Sequence, residues 1–143
     1  MYKYRQFDDK YVLSIDNHQH LAAAIASFCK EKGILAGAVY GIGAVHEATL
    51  RFLDPATKKY VDKTFAEQME ICNLTGNISE KDGQVYLHLH VVLGRRDYTC
   101  VGGHLLEAKL NGACELVIET LNGPKLPRYA DAETGLNLYD FRN

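Results

Sequence analysis

The chain of 143 residues has the composition of one globular domain, with 47% hydrophobic and 24% charged residues. A net charge of −2 argues against strong nucleic-acid binding by this chain alone, because such surfaces are usually basic. The sequence has neither an apolar run long enough to cross a bilayer nor an N-terminal signal-peptide pattern, so we expect a cytoplasmic protein without a membrane partner. The four cysteines form no CxxC pair and are expected to be buried free thiols.

The first strong pattern along the chain is that of a helix. Apolar side chains recur at helical spacing over residues 18–32. Asp16 or Asn17 is expected to cap its N-terminus, and Gly33 stands where helices commonly end. The sequence therefore predicts one principal helix.

The rest of the chain has the patterns of short strands. The predicted strands are residues 11–15, 34–40, 44–53, 60–65, 69–79, 85–93, 99–110 and 113–121. Tight turns are predicted at Gly41-Ile42-Gly43, Asp82-Gly83 and Asn111-Gly112. Many short strands with one helix indicate an α+β domain with a mainly antiparallel sheet.

Several predicted strands carry apolar residues on both faces. Leu87 and Leu89 lie on one face of the strand 85–93, whereas Tyr86 and Val92 lie on the other. A single helix cannot cover both faces of so large a sheet. We therefore expect a homo-oligomer.

Three histidines form the most informative cluster. His88 and His90 project from the same face of a strand, because side chains alternate with a period of two. A hairpin that reverses near Arg96 would place His104 opposite His88. Three converging imidazoles could hold a divalent metal such as Zn²⁺ or Ni²⁺. The alternative, that these histidines are structural, remains open at this point, and His46 is interpreted as an ordinary core residue.

Three protein ligands leave a coordination position open, as catalytic zinc sites do. Glu107 is then a candidate catalytic group, although it needs a β-bulge at Gly102-Gly103 to reach the histidines. Glu47 and Arg51 are further candidates on another strand. The favoured interpretation is that all three are solvated or interface charges, so an enzyme is the less favoured hypothesis.

Several segments of the chain carry a family resemblance. These are Gly41-Ile42-Gly43, residues 74–78, His88-Leu89-His90, residues 102–105 and residues 128–131. With these segments the chain resembles the plants-and-prokaryotes-conserved (PPC or PCC) domain, known from plant AT-hook nuclear proteins and from stand-alone bacterial and archaeal proteins.

The resemblance implies a compact trimeric domain over residues 1–143, whose tail, residues 122–143, we expect to pack on the domain. It also implies that His88, His90 and His104 bind metal, most simply zinc. DNA binding is the family's usual label, yet the chain lacks the Arg-Gly-Arg-Pro core of an AT-hook. Two hypotheses follow: a trimeric regulatory module with a metal, or a metal-dependent enzyme that acts on a small molecule at the subunit interface.

Overall fold

An antiparallel sheet of seven strands is the main element of the computed structural model, which describes residues 1–142. The elements are β1 (Tyr2–Phe7), β2 (Lys10–Ile15), α1 (Leu21–Lys32), β3 (Gly37–Asp54), β4 (Lys59–Phe65), β5 (Met69–Lys81), β6 (Gln84–Gly94), β7 (Cys100–Thr120), β8 (Arg128–Ala130) and β9 (Asn137–Tyr139). The strand order is β1-β2-β7-β6-β5-β3-β4, and β8 pairs with β9 separately. Because β3 also pairs with β7, strands β7, β6, β5 and β3 form a closed ring. The predicted α+β class and antiparallel sheet are confirmed.

The core follows from the alternation of side chains along the strands. On β6, Leu89, Val91 and Leu93 are at most 3% exposed and belong to the same apolar cluster as Ile25 and Phe28 of α1. We call this side of β6 and β7 the core face. The residues between them on β6 point the other way, onto what we call the histidine face.

Two of the three predicted turns are wrong. Gly41-Ile42-Gly43 lies within β3, and Asn111-Gly112 lies within β7. A Cβ atom on Gly41 would lie 2.4 Å from the carbonyl oxygen of Glu115, so this glycine lets β3 approach β7 closely instead of reversing the chain. The Asp82-Gly83 turn is confirmed, with φ angles of 53° and 78°.

The beginning of the helix also differs from its prediction. Helix α1 begins at Leu21, and the N-cap residue His20 makes no side-chain capping hydrogen bond. The carboxylate of Glu107, on β7, accepts hydrogen bonds from the backbone N–H groups of Ala22 (2.7 Å) and Ala23 (3.1 Å). A strand residue therefore caps the helix from across the core. At the other end, Gly33 ends the helix as predicted, with a φ of 67°.

Residues 122–142 return to β5 after β7. The backbone N–H of Glu80 donates to the carbonyl oxygen of Leu126 over 2.8 Å, and Arg128 bonds to side chains of β5. This return places β8 and β9 beside the histidine face. The prediction of four buried cysteines is half correct, since Cys29 and Cys114 are buried whereas Cys72 and Cys100 are exposed. Within residues 1–142, no helix has the length and apolar character to cross a membrane.

Candidate metal centre

The three predicted histidines come together on the histidine face. His88 and His90 lie on β6, and His104 lies on β7. The predicted register is wrong by two residues, because His104 pairs with His90 and not with His88. The histidines still meet, since His88 is the next residue on the same face of β6.

The turn between β6 and β7 explains the shifted register. The backbone N–H of Arg95 donates to the carbonyl oxygen of Thr99 over 2.8 Å. The Asp97 carboxylate accepts hydrogen bonds from the backbone N–H and the hydroxyl of Thr99. Tyr98 takes the left-handed conformation, with a φ of 65°. The chain therefore reverses around Asp97, one residue later than the Arg96 of the prediction.

The geometry of the three imidazoles suits one divalent ion. The Nε2 atoms of His88 and His90 are 3.2 Å apart, and one nitrogen from each ring lies within 4.8 Å of the others. Two ligands that bind one tetrahedral zinc ion at about 2.0–2.1 Å are separated by roughly 3.3 Å. Among residues 1–142 the rings have no carboxylate, amide or carbonyl partner, only one another. Three such nitrogen donors could hold a metal.

Burial and neighbouring positive groups disfavour the protonated form of two of these imidazoles. Burial, followed by the nearby His90 and Arg128, lowers the pKa of His88. Burial, followed by His88, His90 and Arg51, lowers the pKa of His104 to about 4. Neutral imidazole is the form that binds metal, so the site favours ligation over protonation.

A cavity of about 540 Å³ opens over the histidines. Its walls include Tyr60, Tyr86 and Tyr139, together with Leu136 and Leu138 of the tail. This volume is in the usual range for small-molecule pockets, roughly 300–1,000 Å³. No aspartate or glutamate lines it within the described residues.

Arg128 is a functional candidate that the sequence reasoning missed. It lies in the tail, and its guanidinium packs over the rings of Tyr86 (4.8 Å) and Tyr139 (4.2 Å). It donates hydrogen bonds to Ser79 Oγ (2.6 Å), to Asn77 Oδ1 (2.8 Å) and to the carbonyl oxygen of Asn137 (2.6 Å). Asn77 pairs with His88 across β5 and β6, which places Arg128 beside the cluster.

The three predicted catalytic candidates have different locations. Arg51 lines the cavity, with its guanidinium 4.5 Å from the ring of Tyr60, and it forms a bidentate ion pair with Asp62 at 2.8 and 3.1 Å. Glu107 bonds to the helix N-terminus. Glu47 pairs with Lys109 at 2.9 Å and does not line the cavity. The structure therefore brings only Arg51 to the histidines.

The bulge that we predicted at Gly102-Gly103 lies elsewhere. The β3–β7 register shifts between Thr49 and Leu50, where Leu106 on β7 is the unpaired residue. The carboxylate of Glu107 nevertheless does not reach the histidines, because it bonds to the start of α1. The interpretation of His46 as a core residue is also wrong, because its side chain is exposed.

A family model confirms the class that the fold and site suggest. It matches residues 2–122 and describes the Plants and Prokaryotes Conserved (PCC) domain. The chain belongs to this family. A search of curated proteins finds no match.

Solved structures show similar proteins over nearly the whole chain. A protein from Bacteroides thetaiotaomicron, named as a candidate DNA-binding protein, is 54% identical, with coverage of 100% of this chain and 99% of that chain and a TM-score of 0.96. A metal-containing protein from Archaeoglobus fulgidus is 37% identical, with 97% coverage of both chains and a TM-score of 0.87. A PPC protein from Pyrococcus horikoshii is 28% identical, with coverage of 98% of this chain and 94% of that chain and a TM-score of 0.85.

Proposed function

We propose that this chain is a metal-dependent, small-molecule-binding regulatory module of the PCC family. Its metal is a divalent ion, zinc in the first instance, bound by His88, His90 and His104. The observation that carries the proposal is the convergence of three imidazole nitrogens within 4.8 Å on the floor of a cavity. The metal-containing relative from Archaeoglobus fulgidus, 37% identical, supports it.

The metal would supply positive charge and an open coordination position to the cavity. The chain's own residues determine the other properties of the cavity. The tyrosines and tail leucines exclude water from one side, and Arg128 adds a second fixed positive charge. Such a site can report the presence of a small molecule to a partner without changing the molecule chemically.

Metal analysis tests the proposal directly. Protein purified without an affinity tag is expected to contain about one divalent ion per chain, and the His88→Ala/His90→Ala double variant is expected to contain almost none. A His18→Ala/His20→Ala double variant is the matched control, because both residues are exposed and lie outside the cluster. Equal metal contents in the wild type and the first variant would contradict the proposal.

A homotrimer in the cytoplasm is part of the same proposal. The histidine side of the sheet leaves Val92 (41% exposed) and Leu106 (42%) uncovered, which suits contact between copies. The four cysteines form no disulfide, which suits a reducing compartment. Light scattering after size exclusion should give three times the chain mass. A monomer mass would contradict the trimer.

DNA binding is the second candidate, favoured by the candidate DNA-binding relative at 54% identity. The net charge of −2 and the absence of an AT-hook core do not favour it. A gel-shift titration on AT-rich and mixed duplexes at physiological salt tests it. Absence of a shifted band up to about 100 μM protein would remove DNA from the proposal, because non-specific binders have Kd values of roughly 10⁻⁴–10⁻⁶ M.

Catalysis at a subunit interface is less well supported. Acid–base chemistry beside a metal needs a titratable group near the reacting atoms. The carboxylates of Glu47 and Glu107 are paired elsewhere, and no acid lines the cavity within residues 1–142. Arg51 lines the cavity, but its charge is paired with the Asp62 carboxylate.

A further inference from the structure

The charge balance of the cavity is uneven. Arg51 is neutralised by the Asp62 carboxylate, which accepts two hydrogen bonds from it. Arg128 forms no ion pair with any carboxylate of residues 1–142, and its three hydrogen-bond acceptors are neutral oxygens. A half-buried guanidinium without a counterion is costly, because burial removes hydration and nothing negative replaces it. The cavity therefore holds one uncompensated positive charge of its own.

The hydrogen-bonding capacity of Arg128 is also incomplete. A guanidinium has five N–H donors, and the three bonds described above use Nε once and each terminal nitrogen once. One N–H on each terminal nitrogen remains without a protein acceptor among the described residues. Two donors on one planar group match the two oxygens of a carboxylate.

The cavity wall indicates what else the ligand must carry. Leu136, Leu138 and Phe52 present apolar surface, and Tyr60, Tyr86 and Tyr139 present aromatic rings. Such a wall favours an organic molecule with an apolar or aromatic body, because burial of apolar surface stabilises the complex. Inorganic phosphate offers no apolar surface to this wall.

From these observations we infer that the cavity binds a small organic carboxylate, with Arg128 as its charge partner and its apolar body against the tail. The inference rests on the proposed function, since the metal held by the histidines would supply further positive charge. Neutral molecules of the same shape leave the positive charge of Arg128 without a counterion, so they bind more weakly than the carboxylate. The tail then has a binding role, because it supplies Arg128, both leucines and Tyr139.

Calorimetric titration of the zinc-loaded protein tests the inference with benzoate, its neutral analogue benzamide, and inorganic phosphate. Benzoate is expected to bind about tenfold or more tightly than benzamide, since hydrogen bonds between charged groups are the stronger ones. Equal affinities for benzoate and benzamide, or tighter binding of phosphate than of benzoate, would overturn the inference.

Variants separate a binding role of Arg128 from a structural one. Arg128→Gln is expected to keep its zinc and to reduce the preference for benzoate over benzamide several-fold, the remainder coming from the charge of the metal. The Arg51→Gln/Asp62→Asn double variant is the matched control, because it removes a neutral pair from the same cavity and should keep the preference. Arg128→Lys replaces Arg128→Gln if that variant does not fold. It keeps a positive charge but lacks the planar guanidinium that can form two parallel hydrogen bonds, so its preference for benzoate over benzamide should be intermediate.

Zinc content, measured on each sample, distinguishes the two possible failures. A wild type that holds no divalent ion and cannot be loaded with zinc would overturn both the proposed function and this inference. The other failure leaves the proposed function intact. In that case the zinc content falls in the His88→Ala/His90→Ala variant, but Arg128→Gln prefers benzoate as strongly as the wild type does. This result would overturn the inference alone.

Discussion

The side of the fold on which α1 packs and the histidine face use polar groups in opposite ways. At the start of α1, the carboxylate of Glu107 is used by the fold, because it accepts hydrogen bonds from the first turn of the helix. On the histidine face, His88, His90 and Arg128 retain ligating or hydrogen-bonding capacity within residues 1–142. The carboxylate at the start of α1 therefore supports stability, and the polar residues on the histidine face are available to bind a ligand.

The largest expected contrast between the faces concerns two phenylalanines. Phe28 is fully buried on the core face, whereas Phe52 is 71% exposed beside the cavity. Phe28→Ala is expected to lower the free energy of unfolding by about 3–5 kcal/mol, because it leaves a cavity in the core. Phe52→Ala is expected to change it by less than about 0.5 kcal/mol. Urea denaturation measures both, and a large loss in Phe52→Ala would show that a subunit contact covers this residue.

A second contrast concerns two glycines. A Cβ atom on Gly76 would lie 2.1 Å from the carbonyl oxygen of His88 and 2.9 Å from Cα of Leu89, which are backbone atoms with little room to move. On Gly103, its nearest neighbour would be 3.5 Å away, an ordinary contact. Gly76→Ala should therefore destabilise the fold by about 1–3 kcal/mol. Gly103→Ala should be nearly neutral in thermal unfolding, and similar losses in both variants would contradict the steric argument.

The capping role of Glu107 predicts a smaller effect. Glu107→Ala is expected to cost about 1–2 kcal/mol, because two N–H groups at the start of α1 lose their acceptor. Glu47→Ala is the control, since its partner Lys109 is a partly exposed surface residue and such pairs contribute roughly 0–1 kcal/mol. Denaturant midpoints measure the difference. Equal midpoints would mean that the helix end is satisfied without Glu107.

The smallest expected effect is a pH dependence on the histidine face. The hydrogen bond from Arg51, the largest cause, holds the pKa of Asp62 below its ordinary value of 3.8. A carboxyl whose pKa is lower in the folded state stabilises the fold above its ordinary pKa and loses that contribution as the pH falls through the folded value. The small stability difference between the wild type and Asp62→Asn should thus shrink from pH 5 towards pH 3. A difference that grows on acidification would contradict this sign.

The sequence predicted the parts of the site that depend on local periodicity. His88 and His90 share a face because they are two residues apart on a strand, and His104 follows on the next strand. The register could not be predicted to the residue, because Asp97 and Thr99 set the turn through side-chain hydrogen bonds that a residue count does not include. The three histidines meet regardless, since a shift of two residues keeps them on one face.

Other features depend on contacts between distant parts of the chain. The glycine-rich segments of β3 and β7 have the composition of turns, and only the close approach of these strands explains why the chain continues through them. Glu107 caps a helix that lies 84 and 85 residues earlier in the chain. Arg128 reaches Asn77 from 51 residues away. Local sequence patterns contain no signal for such long-range contacts. The sequence therefore predicted neither Glu107 as a helix cap nor Arg128 as a residue of the cavity.

The three tyrosines of the cavity wall have a practical consequence. The chain contains nine tyrosines and no tryptophan, so no indole emission masks the fluorescence of its phenols. Tyr86 and Tyr139 both contact the Arg128 guanidinium, and the ring of Tyr60 lies 5.6 Å from the ring of His104. Any molecule or ion that enters the cavity changes the surroundings of these tyrosines. Intrinsic tyrosine fluorescence can therefore report occupancy of the cavity without an added label.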